Sequence, residues 1–146
     1  MLNKDFREFL ESLNLRNVRY LLIGGYAVAL HGHPRYTKDI DIWIERSDVN
    51  VANLLLALHD FGFGDVTITK SDLLEQGSII QLGYPPNRVD IINSPDGVDF
   101  ADCYDRLVEF EIEDVKIPVI GLDDLRRNKR ASGRLQDLAD LEALGT

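Results

Sequence analysis

Two aspartates separated by one residue, Asp39 and Asp41, are the side chains of this sequence best suited to chemistry. They lie in the segment Thr37-Lys38-Asp39-Ile40-Asp41-Ile42-Trp43-Ile44, whose β-branched and apolar residues predict a strand. Side chains alternate along a strand, so both carboxylates project from one face, roughly 7 Å apart at the backbone. Carboxylates held this close disfavour joint ionisation, and a divalent cation removes that penalty. The alternative is that both face solvent.

A third acid, Asp90, lies in another predicted strand, Arg88-Val89-Asp90-Ile91-Ile92. Val89 and Ile91 enter the core from one face, and Asp90 shares the other face with Arg88. An isolated acid in an apolar strand needs a partner, because burying an uncompensated charge is costly. The sequence leaves two partners open, which are Arg88 and a metal ion.

Two glycines, Gly24 and Gly25, follow a predicted strand at residues 18–23 and precede a predicted short helix at residues 26–31. Residues without a Cβ atom let an anion approach the backbone N–H groups at the start of a helix. The segment therefore indicates a phosphate site, with a tight turn as the alternative. It does not supply the Gly-x-Gly-x-x-Gly pattern of dinucleotide-binding proteins.

Length and composition predict one domain, residues 1–146, with a core at about 18–120 and C-terminal helices at about 121–144. The chain is 45% hydrophobic and 28% charged, which is ordinary for a globular protein. No apolar run approaches the ~20 residues of a membrane span, and the first residues lack the apolar core of a signal peptide. We therefore expect a cytoplasmic protein. The single Cys103 cannot form an internal disulfide and is expected to be buried.

The formal net charge of −9 argues against non-specific binding to nucleic acid, which depends on phosphate neutralisation by Lys and Arg. His31 and His33 flank a loop glycine and are more typical of ordinary surface residues than of metal ligands. One late segment is locally basic and is the only candidate for a nucleic-acid contact. Its members are Arg126, Arg127, Lys129, Arg130 and Arg134.

Hydrophobic periodicity and turn residues predict the remaining elements. Within the tail we expect Asp123 to pair with Arg127 at i+4, and Leu135, Leu138 and Ala139 to share one helix face. The other predicted helices cover residues 5–13, 50–61 and 101–107, and two more cover 122–144 with a break near residues 132–133. The other predicted strands cover residues 66–69, 79–82, 108–112 and 115–120.

The order of these pieces resembles the nucleotidyltransferases of the DNA polymerase β-like superfamily. Their pattern is Gly-Gly or Gly-Ser at a helix start, then Asp-x-Asp, then a third Asp, which here are Gly24, Gly25, Asp39, Asp41 and Asp90. The resemblance implies an α/β (α+β) nucleotidyltransferase fold. Its mixed twisted sheet of about five strands is flanked by helices, with a C-terminal helical pair.

Two further segments resemble small bacterial members related to abortive-infection toxins and lincosamide nucleotidyltransferases. Arg35-Tyr36-Thr37-Lys38-Asp39-Ile40-Asp41 is similar to their Arg-x-Thr-x-Asp-hydrophobic-Asp signature. The segment from Lys129 to Leu141 is similar to their Lys-x-x-x-x-Arg-x-x-Asp-x-x-Asp pattern. The resemblance thus extends from Leu21 to Leu144.

What the resemblance implies is Mg²⁺-dependent transfer of NMP from an NTP, such as ATP, to a hydroxyl of a protein, an RNA or a small molecule. Asp39, Asp41 and Asp90 would bind two Mg²⁺ ions, with Mn²⁺ as a substitute, and Asp90 could accept the proton of the attacking hydroxyl. The nucleotide would be bound by Gly24, Gly25, Arg35, Thr37 and Lys129.

Several roles stay open at this point. Arg35 is either a phosphate ligand or a solvated loop residue, and Arg134 is either an active residue or the i+3 partner of Asp137. Thr37 either binds the nucleotide or only orders its loop. The short tail suggests that a partner chain, itself or another protein, presents the acceptor. The alternative functions are a catalytically silent nucleotide- or partner-binding module of a toxin–antitoxin-like system and a metal-free α/β scaffold.

Overall fold

A mixed sheet carries the three acids on two adjacent strands. The computed structural model describes residues 2–63, 67–84 and 87–145. Within these residues the sheet has six strands, namely β1 (Tyr20–Ile23), β2 (Asp39–Ile44), β3 (Ile79–Leu82), β4 (Arg88–Ile92), β5 (Val108–Ile112) and β6 (Val115–Val119). Their order in the sheet is β3-β4-β2-β1-β6-β5, with β2 parallel to β4, β1 parallel to β6 and the other pairs antiparallel.

Helices cover and connect these strands. Their bounds are α1 (Lys4–Leu15), α2 (Gly24–Leu30), α3 (Asp48–Leu58), α4 (Lys70–Leu74), α5 (Phe100–Asp105), α6 (Leu122–Ser132) and α7 (Leu135–Leu144), and a turn at His59–Phe63 follows α3. α1 packs against α3 and β6, α2 packs against β1 and β2, and α6 packs against α7 and α2. None of these helices has the length and apolar character needed to cross a bilayer.

Strand β2 separates the core from the acids, as its alternating pattern predicts. Ile40, Ile42 and Ile44 are fully buried, whereas Asp39 and Asp41 on the other face are only partly buried. Trp43 shares the acidic face and is also buried, because the ring of Phe100 packs edge-on against it at 5.2 Å. The acids therefore lie at one end of a strand whose other end is packed on both faces.

The register of β2 and β4 explains why the acids meet. The two strands are parallel neighbours, with Asp41 paired to Asp90 and Asp39 paired to Arg88. Residues opposite each other on adjacent strands project from the same face, so β2 contributes two carboxylates and β4 contributes one carboxylate and one guanidinium. The site is thus a product of strand pairing between segments 49 residues apart.

Two predictions about elements need correction, and one helix was not predicted. The sheet has six strands rather than about five, since the hairpin of β5 and β6 joins it through β6 and β1. Residues 67–69 form no strand, and Val66 lies outside the described residues. Thr69 instead caps α4, because its hydroxyl accepts from the N–H of Asp72 and that carboxylate accepts from the N–H of Thr69, at 3.2 and 2.9 Å. The Thr-x-x-Asp pattern of a capping box was the signal for this helix.

The ion pairs of α6 also differ from the prediction. Asp123 pairs with Arg126 at 3.0 Å rather than with Arg127, and Arg127 pairs with Asp124. Asp124 is buried and also accepts two hydrogen bonds from Arg106, both at 3.0 Å. The basic segment is therefore largely neutralised by carboxylates. On α7, Leu135 and Leu138 lie on an exposed face.

We expect Asp124→Asn to lower the free energy of unfolding by about 2 kcal/mol at pH 7, because charged hydrogen bonds are lost. The bonds from Arg106 hold the pKa of Asp124 below its ordinary value of 3.8. Stability from such a group is present above the unfolded pKa and is lost as pH falls through the folded pKa. Urea unfolding of both proteins at pH 7 and near pH 3.5 should show a gap that narrows at the lower pH. A gap independent of pH would contradict the assignment.

Candidate active site

Three carboxylates converge at the edge of the β2–β4 pair. One oxygen from each of Asp39, Asp41 and Asp90 lies within 4.8 Å of the other two, and these form the one cluster of metal-ligating side chains found among the described residues. Carboxylate oxygens are hard ligands of the kind that Mg²⁺ and Mn²⁺ prefer. The spacing allows a single ion to touch all three side chains.

Arg88 already partners two of these acids. Its Nη2 donates to Asp39 and to Asp90 Oδ2, the latter at 3.1 Å, and its Nε donates to Asp90 Oδ1 at 3.0 Å. Among the residues that the structure describes, Asp41 receives no hydrogen bond from an arginine. The sequence left Arg88 and a metal ion open as partners of Asp90, and the structure shows the pairing with Arg88. A metal ion would use the same carboxylate oxygens.

The protonation of the cluster reflects burial and mutual repulsion. Burial, reinforced by Asp39 and Asp90, raises the pKa of Asp41 to about 7, although Lys129 and Arg134 oppose the rise. Burial also raises the pKa of Asp90, against the hydrogen bonds from Arg88. Asp41 is therefore the carboxylate for which added positive charge is most favourable.

Gly24 and Gly25 meet the acid cluster at the start of α2. Gly24 has a φ of +71°, and a Cβ atom there would collide with the carboxylate of Asp41. A Cβ atom on Gly25 would lie 2.5 Å from Thr37 Cγ2 and 2.9 Å from Arg35 Nη2. Glycine is thus required at both positions by close approach, which brings backbone N–H groups beside the acids and beside the Arg35 loop.

Two cations face the cluster from other elements. The Lys129 side chain on α6 is 5% exposed, and its Nζ lies 2.9 Å from Asp140 and 3.2 Å from Asp137. Arg35 is half-buried and donates from Nε and Nη2 to the two oxygens of Asp140, at 2.8 and 3.1 Å. Both cations are therefore fixed by carboxylates of α7.

The acids and these cations line one cleft of about 560 Å³. A second cavity of about 370 Å³ adjoins the cleft at Asp41 and Lys129. The second cavity lies between Gly24, the start of β3, the end of β4 and α6. Ile79 and Arg134 line both spaces. The cleft contains seven of the eight predicted site residues, namely Gly25, Arg35, Thr37, Asp39, Asp41, Asp90 and Lys129, and Gly24 lines the second cavity.

Sequence comparison agrees with this geometry. Residues 1–145 match the model of a family described as "Nucleotidyltransferase of unknown function (DUF6036)". The chain belongs to this nucleotidyltransferase family. No curated protein sequence matches it.

Solved structures show the same fold. TM1012 of Thermotoga maritima, classed as a nucleotidyltransferase, is 19% identical with a TM-score of 0.63, over 94% of this chain and 88% of that one. The lincosamide antibiotic adenylyltransferase LnuA, solved with lincomycin, is 18% identical with a TM-score of 0.59, over 100% and 98%. An antigenic nucleotidyltransferase-like protein of Paracoccidioides brasiliensis is 19% identical with a TM-score of 0.56, over 98% and 77%.

The structure of this nucleotidyltransferase answers two alternatives left open by the sequence. Arg35 is held by Asp140 and is not a solvated loop residue. Arg134 does pair with Asp137, at 2.8 Å, and it also lines the cleft. Arg88 and Asp140 were given no active role from the sequence, although the Arg-x-x-Asp-x-x-Asp pattern of the tail contains Asp140.

Gly24→Ala should destabilise this nucleotidyltransferase more than Gly32→Ala does. Both glycines have positive φ, which costs a side chain about 1 kcal/mol, but a Cβ atom on Gly32 would meet nothing within 4 Å. At Gly24 the collision with Asp41 adds to that cost, so urea unfolding should show at least about 1 kcal/mol of extra loss. Equal losses for the two variants would show that the contact with Asp41 relaxes freely.

Proposed function

We propose that this nucleotidyltransferase moves NMP from an NTP, with ATP the first to test, to an acceptor hydroxyl with the help of divalent metal ions. The observation that carries the proposal is the convergence of Asp39, Asp41 and Asp90 opposite the buried Lys129 and the fixed Arg35 in one cleft. Carboxylates suit metal ions and cations suit a polyphosphate, so the two halves of the cleft match the two halves of a metal–NTP complex.

The residues present fit a metal site. Asp39, Asp41 and Asp90 would hold two Mg²⁺ ions, or Mn²⁺ in their place, because their carboxylate oxygens converge; burial and the neighbouring carboxylates also raise the pKa of Asp41, and a cation would relieve this. When bound, such ions neutralise phosphate oxygens and lower the pKa of a coordinated hydroxyl. The chain itself would contribute Asp90 as the acceptor of the proton from the attacking hydroxyl.

The cations of the cleft would receive the leaving pyrophosphate. Gly25 offers its backbone N–H at the start of α2, and Arg35 lies against it while Lys129 lines the same cleft. These donors are held in place before the ligand arrives, so little reorganisation is needed as negative charge develops on the leaving group. Thr37 packs against Gly25 and would fix the loop on this side.

The second cavity is the place we assign to the nucleoside. In phosphoryl-type transfer the attacking and leaving oxygens are roughly in line, so the acceptor must approach from the side opposite the pyrophosphate. With pyrophosphate beside Arg35 and the acceptor beside Asp90, the nucleoside must leave the α-phosphate in a third direction. The cavity of about 370 Å³ opens in that direction from Asp41, past Ile79 and Asn128.

The acceptor is a hydroxyl on a protein, an RNA or a small molecule, and we place the enzyme in the cytoplasm as one domain, where NTPs are abundant. LnuA is an adenylyltransferase of a small molecule, which makes a small-molecule acceptor one arm of the search. A partner protein or a second copy of this chain remains the proposed means of presenting a larger acceptor.

One observation favours a second candidate, a silent nucleotide- or partner-binding module of a toxin–antitoxin-like system. Arg88 satisfies Asp39 and Asp90 without any metal ion. If Arg88 stayed paired with these acids, no metal ion could bind there. The protein would then bind a polyphosphate through Arg35 and Lys129 without catalysing NMP transfer.

Thermal unfolding with each NTP, with and without Mg²⁺, separates these functions. Ligand at a hundredfold excess over Kd should raise native stability by roughly 2.7 kcal/mol. The active enzyme should need Mg²⁺ for the full shift and lose it in the Asp39→Asn/Asp41→Asn double variant, whereas Asp105→Asn, which removes an exposed charge outside the cleft, should keep it. A thermal shift that depends on neither Mg²⁺ nor the acids indicates a silent module that binds the nucleotide. No shift with any NTP contradicts the transferase and favours a silent module that binds a partner protein.

Arg88→Gln should tighten Mn²⁺ binding by about tenfold. The substitution removes a positive charge that competes with a metal ion for the carboxylate oxygens of Asp39 and Asp90. Isothermal titration of the chain without nucleotide measures this directly. Arg46→Gln is the control, since Arg46 is an exposed arginine that donates to the carbonyl of Leu74. Unchanged or weaker binding in Arg88→Gln would show that Arg88 does not compete with the metal.

A further inference from the structure

Helix α7 buries two aspartates beside two leucines. Its side toward the protein carries Asp137 and Asp140, whose side chains are 1% and 2% exposed, together with the buried Leu141 and Leu144, while Leu135 and Leu138 are exposed. Soluble helices ordinarily expose aspartate. The burial of Leu141 and Leu144 therefore explains only part of how this helix is oriented, and the two inward aspartates need a further reason.

The inward carboxylates are occupied by the cations of the cleft. Asp140 accepts two hydrogen bonds from Arg35 and one from Gln136 at 3.0 Å, and it forms an ion pair with Lys129. Asp137 accepts from Lys129 and from the backbone and side chain of Arg134. The two acids thus tie together α6, α7 and the loop before β2.

The cations keep donors for a ligand while they are held. Within the described residues, Arg35 gives one N–H of Nη2 to Asp140 and one N–H of Nη1 to the carbonyl of Tyr36. Each terminal nitrogen of a guanidinium carries a second N–H, and an ammonium bonded to two carboxylates keeps a third. Asp140 can therefore fix Arg35 and Lys129 without consuming their capacity to bind phosphate.

Stability alone is a weak reason for this arrangement. Buried ion pairs recover little more than the cost of removing their charges from water, and apolar residues of similar volume often serve as well. Helix α7 already has an apolar contact through the buried Leu141 and Leu144, so the two buried aspartates are not needed merely to attach it.

We propose that Asp137 and Asp140 are positioning residues that hold Lys129 and Arg35 at the polyphosphate end of the cleft. This rests on the proposed function, since it assumes a polyphosphate ligand. Helix α7 is then part of the nucleotide site, and its carboxylates act on the ligand only through the cations that they orient.

The test is calorimetric binding of inorganic tripolyphosphate without metal, and of ATP with Mg²⁺, to wild type, Asp140→Asn and Asp124→Asn. Asp124 is a matched control because it is equally buried and also accepts two bonds from one arginine, but its partners do not line the cleft. Asp140→Asn should weaken both ligands at least tenfold, and Asp124→Asn should leave both within twofold of wild type. Asp140→Asn within twofold of wild type, or equal weakening by Asp124→Asn, overturns the positioning role.

A second variant covers the case in which Asp140→Asn does not fold. Arg35→Lys keeps the charge but loses the two-point hold of Asp140, and it should weaken tripolyphosphate several-fold. Arg16→Lys is its control, because Arg16 makes the same two-point contact with Asp60 at the surface, at 2.6 and 3.0 Å. Full affinity in Arg35→Lys overturns the role.

The two proposals fail separately. If wild type binds tripolyphosphate and Asp140→Asn does not, the positioning role stands even where ATP with Mg²⁺ shows no binding, which would contradict only the transferase. If wild type binds neither ligand, both are overturned.

Discussion

The convergence of like charge on the β2–β4 pair is the constraint on which the rest of the site depends. Parallel pairing places Asp41 beside Asp90 and brings Asp39 within reach of both, on a half-buried surface where three carboxylates repel one another. The surrounding structure supplies positive charge, through Arg88 within the sheet and Lys129 across the cleft. Gly24 adds its backbone against Asp41, because no side chain would fit there.

This arrangement continues outward as alternating layers of charge. The acids of the sheet face the cations of α6 and of the loop before β2, and those cations are backed by Asp137 and Asp140 of α7. Alternation lets each buried charge have a partner of opposite sign, which is the condition under which buried charges are tolerated. The cleft lies between the acids of the sheet and these cations. A metal–polyphosphate complex would fit there with its metal ions against the acids and its phosphates against the cations.

Much of the fold and of the candidate site could be predicted from the sequence, because it depends on local sequence patterns. Period-two alternation located β2 and β4, and the paired glycines located the start of α2. The resemblance to the nucleotidyltransferase pattern grouped Asp39, Asp41 and Asp90, and the parallel register of β2 and β4 brings them together. What could not be predicted depends on contacts between distant segments. The pairing of Arg35 with Asp140 spans 105 residues, and the burial of Asp137 and Asp140 on α7 depends on ion pairs with distant cations that helical periodicity does not reveal. The helix at Lys70–Leu74 was available from its capping pattern, but the β-branched residues before it favoured a strand.

The most direct measurement of the central claim is a crystal structure with Mn²⁺ and an NTP analogue that cannot be cleaved between its α- and β-phosphates, with the metal located by anomalous scattering. The account predicts manganese bonded to oxygens of Asp39 and Asp41, Arg88 displaced from at least one acid, and the β- and γ-phosphates against Gly25, Arg35 and Lys129. An analogue bound elsewhere, or bound in the cleft with Arg88 still pairing Asp39 and Asp90 and no manganese among the acids, would contradict it.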